Sequence, residues 1–216
     1  MKKQLILLVL MATAISTHPQ STKKVNRFPF GIFHKKNQTI TGLSVGIYTG
    51  LESEEDPRNV RTNGIRLEAI GLGIVAPLLP YSPISTTEEA YQKSVYGAPS
   101  EWVNGFNLSP AGTICDCTVN GVSAGIIGQI NRKVHGISAS VFINFTEKHS
   151  GVQLAAFNES YLMYGLQVGV SNTGGRVRGL QIGLFNHSNN LRGVQLGLWN
   201  VNQKRKLPIL NWNFKN

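Results

Sequence analysis

Hydrophobic and polar residues alternate along the second half of the chain. Gly179–Asn186 runs Gly, Leu, Gln, Ile, Gly, Leu, Phe, Asn, and Gly193–Asn200 repeats that order as Gly, Val, Gln, Leu, Gly, Leu, Trp, Asn. Successive side chains of a strand point to opposite faces, so an alternation of this kind predicts a strand rather than a helix. Leu180, Ile182 and Leu184 then share one face, and Gln181 and Phe185 the other. The pattern reaches back through Val177 and Leu191, which predicts strands of about ten residues. Between them TGGR (Thr173–Arg176) and HSNN (His187–Asn190) read as four-residue turns, because Gly, Asn and Ser accept turn geometry or bond their own backbone.

The glycines opening these phrases, Gly151, Gly165, Gly179 and Gly193, are spaced by fourteen residues. Looser copies begin at Gly42, Gly64, Gly105, Gly121 and Gly136, making nine. Such a period marks a repeat architecture. Short polar turns between equal strands favour an antiparallel meander. With LPILNWNFKN as a last strand the count is ten, an even number suited to a small barrel, and ten-residue strands are long enough to cross hydrocarbon when tilted. The expectation is therefore all-β, a meander of about ten strands closing into a barrel, with Leu180, Ile182 and Leu184 toward lipid and Gln181 and Gly183 toward the lumen. The alternative is a parallel β-solenoid with coils of about fourteen residues, in which Asn158, Asn172, Asn186 and Asn200 stack as a ladder. A soluble version of either would turn the aliphatics to a core and the Gln and Gly surface to water.

The start of the chain reads as a secretory signal over 1–20: two lysines, an apolar run from Leu5 to Ile15, then small and polar residues. A basic leader is expected at 21–40 and a single β-repeat domain at 41–216, interrupted by a long loop at 76–102. Charged residues are only 15% of the chain, Gly numbers 23, and the net charge is +10. Low charge, abundant glycine and no helical period all favour the β reading. The positive balance suits phosphates of lipopolysaccharide, acidic glycans or lipid headgroups. The expected location is the outer membrane or cell surface, with the periplasm as the alternative.

The phrase GLQIGLFN…GVQLGLWN resembles the tandem G-[LV]-Q-[IVL]-G-[LV]-x-N units of a bacterial surface-repeat family first noted in Leptospira and also found in Bacteroidetes. The likeness is close over Gly151–Asn200 and looser over Gly121–Asn144. It implies an envelope or surface repeat protein and brings no catalytic residues with it. The final strand, with Leu210, Trp212 and Phe214 on one face, also resembles the closing strand of outer-membrane barrels, although Lys215 and Asn216 follow the aromatic.

Candidate chemistry is sparse. Cys115 and Cys117 flank a single aspartate. Zinc would need two more ligands, and an exported chain favours oxidation, so the pair reads as a structural or labile disulfide at a hairpin tip, free thiols, or a redox site. His18, His34, His135, His149 and His187 show no ligand spacing, and the acidic run Glu52, Glu54, Glu55 and Asp56 lacks the pattern of a calcium loop. No catalytic, metal or cofactor site is expected, and no nucleic-acid partner. Arg176, Arg178, Arg192, Lys204, Arg205 and Lys206 gather at or near the expected turns; they form a possible anion-binding set or simply keep a charge-poor surface solvated. An exported, non-catalytic envelope barrel with a structural or interaction role follows, with a soluble solenoid binding acidic glycans or lipopolysaccharide as the alternative.

Overall fold

The computed structural model describes residues 24–49 and 57–215. The expected signal peptide and the acidic run Glu52–Asp56 lie outside the described residues. The strands are β1 (Val25–Arg27), β2 (Phe30–Ile32), β3 (Gln38–Gly46), β4 (Val60–Glu68), β5 (Glu101–Ser109), β6 (Ile114–Gly125), β7 (Gly128–Ala139), β8 (Ile143–Leu154), β9 (Phe157–Val168), β10 (Ser171–Ile182), β11 (Phe185–Val201) and β12 (Lys206–Asn213). From β3 to β11 each pairs in parallel with the next. β12 alone runs antiparallel, covering the end of the stack against β11. The chain is thus a β-solenoid, and the expected antiparallel barrel is corrected to the parallel alternative.

The register explains the repeat. Gly42, Gly64, Gly105, Gly121, Gly136, Gly151, Gly165, Gly179 and Gly193 form one row, each opposite the next. At this corner the backbone turns with positive φ, 145° at Gly179, and a Cβ there would lie 2.0 Å from the carbonyl oxygen of Gly165. Only glycine fits. TGGR and HSNN, read as turns, lie inside β10 and β11. Their small polar residues do not reverse the chain. Asn172, Gly174, Asn186 and Ser188 point inward as part of the strand.

The interior is ordered in rows along the stack. Two residues before the corner glycine runs the row Ile40, Thr62, Val103, Val119, Val134, His149, Met163, Val177 and Leu191, all fully buried. Two residues after it runs Ser44, Arg66, Asn107, Ser123, Ser138, Gln153, Gln167, Gln181 and Gln195, also fully buried. The glutamines therefore face neither lumen water nor solvent, and the aliphatics between them face outward. An inward polar row is tolerable only if each amide finds a partner, and in-register stacking supplies it. Gln195, Gln181 and Gln167 each donate Nε2 to Oε1 of the preceding glutamine at 2.8, 2.7 and 2.8 Å. Asn158, Asn172 and Asn186 donate in the opposite sense, each to Oδ1 of the following asparagine at 2.9, 2.8 and 2.8 Å. Each ladder must end on one acceptor without a donor, and these are Gln195 Oε1 and Asn158 Oδ1. The second glycine of the phrase makes room for the asparagines: a Cβ on Gly183 would stand 2.6 Å from Asn172 Nδ2 and 2.4 Å from the carbonyl oxygen of Gly169.

The early coils fill the same space with charge. Arg66 donates to Glu101 at 2.8 Å and to Asn107 at 2.8 Å, and lies 3.9 Å over the Phe33 ring. Glu68 accepts from Thr49 and Thr113 at 2.7 and 2.6 Å. A 3-10 turn (Leu72–Leu78) leads into the expected long loop at 76–102, which holds a helix, α1 (Glu88–Val95), capped by Thr87. Together with its flanking segments it forms a strap over the outer surface of the middle coils.

Candidate functional site

The strand alternation that sends glutamine inward sends aliphatics outward. One and three residues after the corner glycine, the outer surface carries Leu180 and Ile182, Val194 and Leu196, and in earlier coils Leu43, Ile65, Leu67 and Phe106. The next bend adds Ile126, Val141, Val170, Leu184 and Leu198, with Phe142, Phe157, Phe185 and Trp199 beside them. Ile182 is 37% exposed and Leu198 64%. Because the chain bends between these rows, the surface is concave. Val45, Leu67, Leu108 and Ile126 line a groove of about 880 Å³, and Val168, Ile182, Leu196 and Leu198 line another of about 750 Å³. Exposed aliphatic and aromatic positions recur from coil to coil, and a continuous apolar surface of this kind marks an interaction face.

A cationic edge borders this face across the corner glycines. Arg178 and Arg192 stand opposite each other in neighbouring strands, one residue before the corner. Lys133 and Lys148 are a second in-register pair, three residues before it. Like charges held at strand spacing repel. Burial and then Arg192 push the Arg178 guanidinium pKa down. Burial, Arg132 and Lys148 do the same to Lys133, and burial, Lys148 and Lys133 to His135. Glu159 is the single acidic residue between Gly151 and Asn216, against seven lysines and arginines. The edge is thus cationic at two places, Lys133 with Lys148 and Arg178 with Arg192, separated by Leu162 and Tyr164 of β9, and Asp116 lies near the first of them.

The expected anion-binding set is brought together only in part. Arg178 and Arg192 stack on the edge, with Arg178 donating to Asn190 Oδ1 at 3.0 Å. Arg176 is engaged by the strap: it pairs with Glu88 of α1, which also accepts from Tyr161 at 3.0 Å. Lys204, Arg205 and Lys206 sit at the reversal into β12, where Arg205 lies 4.3 Å over the Trp212 ring. These residues lie on strands and at one reversal, not at a series of turns. Lys133 and Lys148 were missed, though their positions relative to Gly136 and Gly151 would have found them; His135, read only as a histidine without ligand spacing, stands on the same edge.

Cys115 and Cys117 form a disulfide with Cα atoms 5.1 Å apart. It lies inside β6, not at a hairpin tip, and spans a register shift at which two residues of β6 face one of β7. Asp116, between the cysteines, points outward to Arg132 at 3.1 Å and accepts from the Ser100 backbone N–H at 2.9 Å. His149 lies in the apolar inner row, where burial lowers its pKa to about 4.

Among the described residues no helix is long and apolar enough to cross a membrane. No group of three His, Cys, Asp or Glu is placed to hold a metal ion among them. No protein-family model matches the chain, and no curated protein or solved structure is significantly similar to it.

Proposed function

We propose that the protein is an exported, non-catalytic β-solenoid of the bacterial cell envelope that binds a phosphate-bearing glycolipid such as lipopolysaccharide. Its aliphatic outer rows take acyl chains, and its cationic edge takes phosphates. The observation that carries this reading is the adjacency of the two surfaces: Arg178 and Leu180, like Arg192 and Val194, flank the same corner glycine. Apolar area and attraction to anionic headgroups together determine binding at a lipid surface. The Leptospira-type repeat resemblance supports the envelope location.

Vesicle flotation of the full chain tests it. The protein is expected to float with vesicles containing lipopolysaccharide or phosphatidylglycerol and not with phosphatidylcholine alone. Raising salt should weaken the association. A soluble anionic oligosaccharide should not compete, because it offers nothing to the aliphatic rows; full competition by it would instead favour an acidic-glycan module. No preference for anionic vesicles would overturn the proposal.

A further inference from the structure

The later of the two apolar grooves, of about 750 Å³, is long, narrow and stopped at one end. One wall is the in-register row Val168, Ile182 and Leu196, and the other is Val170, Leu184 and Leu198. The floor between them is Gly169, Gly183 and Gly197, so no side chain rises from it. The walls are two residues apart along the chain, a span of at most about 7 Å. Along the stack the groove crosses three strands at about 4.8 Å each.

The stop is Ile209. β12, the last strand of the stack, sets it opposite Gly197, in line with the glycine floor. Beside it the register shifts, and Leu198 and Trp199 of β11 face Pro208 alone. Ile209 has a φ of 65°, a conformation unfavourable to a β-branched residue that glycine would adopt at a bulge without strain. Its side chain is 74% exposed, so burial in the free protein does not offset that strain. Backbone strain kept without a packing return marks a ligand clamp or similar functional position.

The lining selects by what it withholds. No residue of the groove carries a polar side chain. The backbone N–H groups of Gly169 and Gly183 donate to the carbonyls of Ile182 and Leu196 at 3.0 and 2.9 Å. The carbonyls of Gly183 and Gly197 accept from Asn186 and Asn200 of the inner ladder at 3.4 and 2.9 Å. A peptide strand or a sugar would therefore lose hydrogen bonds to water and find none here. A helix, about 10–12 Å across, is wider than the slot. An extended hydrocarbon chain laid along the stack needs neither hydrogen bonds nor width. We infer that this groove is a slot for one acyl chain, lying lengthwise with its polar end leaving on the β9 side, and that Ile209 is the end stop that sets the chain length accepted. The inference rests on the reading that the aliphatic rows take acyl chains; it adds a discrete site and the residue that determines its specificity.

Titration of the full chain with octyl, decyl, dodecyl and tetradecyl phosphate, each below its critical micelle concentration, tests it. Binding is read from the fluorescence of Trp199, which adjoins the groove wall at Leu198, in a Trp102→Phe, Trp212→Phe background. Affinity should rise about fourfold per added CH₂ until the chain fills three strand spacings, about 14 Å, or about eleven carbons with bonds of about 1.5 Å. Dodecyl and tetradecyl phosphate should then bind alike. Ile209→Gly suits the φ of 65°, so it should fold at least as stably. It opens one further strand spacing, and tetradecyl phosphate should now bind about tenfold more tightly than dodecyl phosphate. The slot is refuted if none of the four binds, if affinity climbs through tetradecyl phosphate with Ile209 in place, or if Ile209→Gly leaves the levelling point where it was. Vesicle flotation without alkyl phosphate binding would remove the slot alone; alkyl phosphate binding without flotation would remove the vesicle-surface reading alone.

Discussion

The early and late coils solve one packing problem in different ways. Both place a polar row two residues after the corner glycine, fully buried. In β4 that position is Arg66, tied to Glu68 and Glu101 by salt bridges; in β8 to β11 it is Gln153, Gln167, Gln181 and Gln195, tied to one another. A guanidinium has several donors in fixed directions and needs partners from different segments, so its neighbourhood is irregular. A primary amide carries both donor and acceptor, and identical copies satisfy one another at strand spacing. Regular sequence and regular structure therefore coincide in the late coils, while the early ones repeat only their backbone.

That comparison can be broken in order of effect. The glycine row is common to both halves, so Gly179→Ala should be the most damaging change: the clash with the Gly165 carbonyl is against backbone, and the φ of 145° is strained for alanine. A loss of about 4 kcal/mol or more is expected in urea unfolding, and Gly64→Ala should match it. Next, Arg66→Met removes the guanidinium that Glu68 and Glu101 share in the interior, leaving Glu101 to Arg58 and Glu68 to Thr49 and Thr113, at about 3–5 kcal/mol. Gln181→Leu should cost less, about 1–3 kcal/mol, because it leaves only neutral amide groups short of a partner. A cost for Gln181→Leu equal to that of Arg66→Met would remove the distinction between the two halves.

His149 marks the junction of the two regimes, one coil before Met163 in the apolar inner row. Its folded pKa of about 4 is below the usual 6.5, so the unfolded chain binds the proton first. Stability from this group is complete above pH 6.5 and is lost as pH falls toward 4, by about 3 kcal/mol in total. Chemical unfolding at pH 7 and pH 4.5 should show a smaller difference for His149→Met than for the wild type. The smallest stability effect belongs to the outside. Leu196→Ser with Leu198→Ser should stay within about 0.5 kcal/mol each, as exposed substitutions do, yet abolish flotation with lipopolysaccharide vesicles. A large drop in melting temperature would show that these residues support the fold.

Much of this was legible in residues. The glycine row was visible down to its faint copies at Gly42, Gly64 and Gly105, which share the corner with Gly179. The division between Leu180 and Gln181 was also legible, but not which of them lay inside. The seating of the strap was invisible: Arg132 and Glu147 are fifteen residues apart, Ser85 lies far from both, and only the strap's course brings Ser85 onto Glu147. Arg178 and Arg192 were noticed as basic but not as a stacked edge, because stacking follows from register.

By itself the sequence determined period, strand and the row that must be glycine, because these depend on backbone geometry local to a few residues. Direction and sidedness were decided by the tertiary structure. An alternating strand is equally consistent with either face inward and with either neighbour orientation. Only when coil stacks on coil at about 4.8 Å do glutamine and asparagine amides meet their own copies, and that pairing is what allows them inside and leaves the aliphatics facing out.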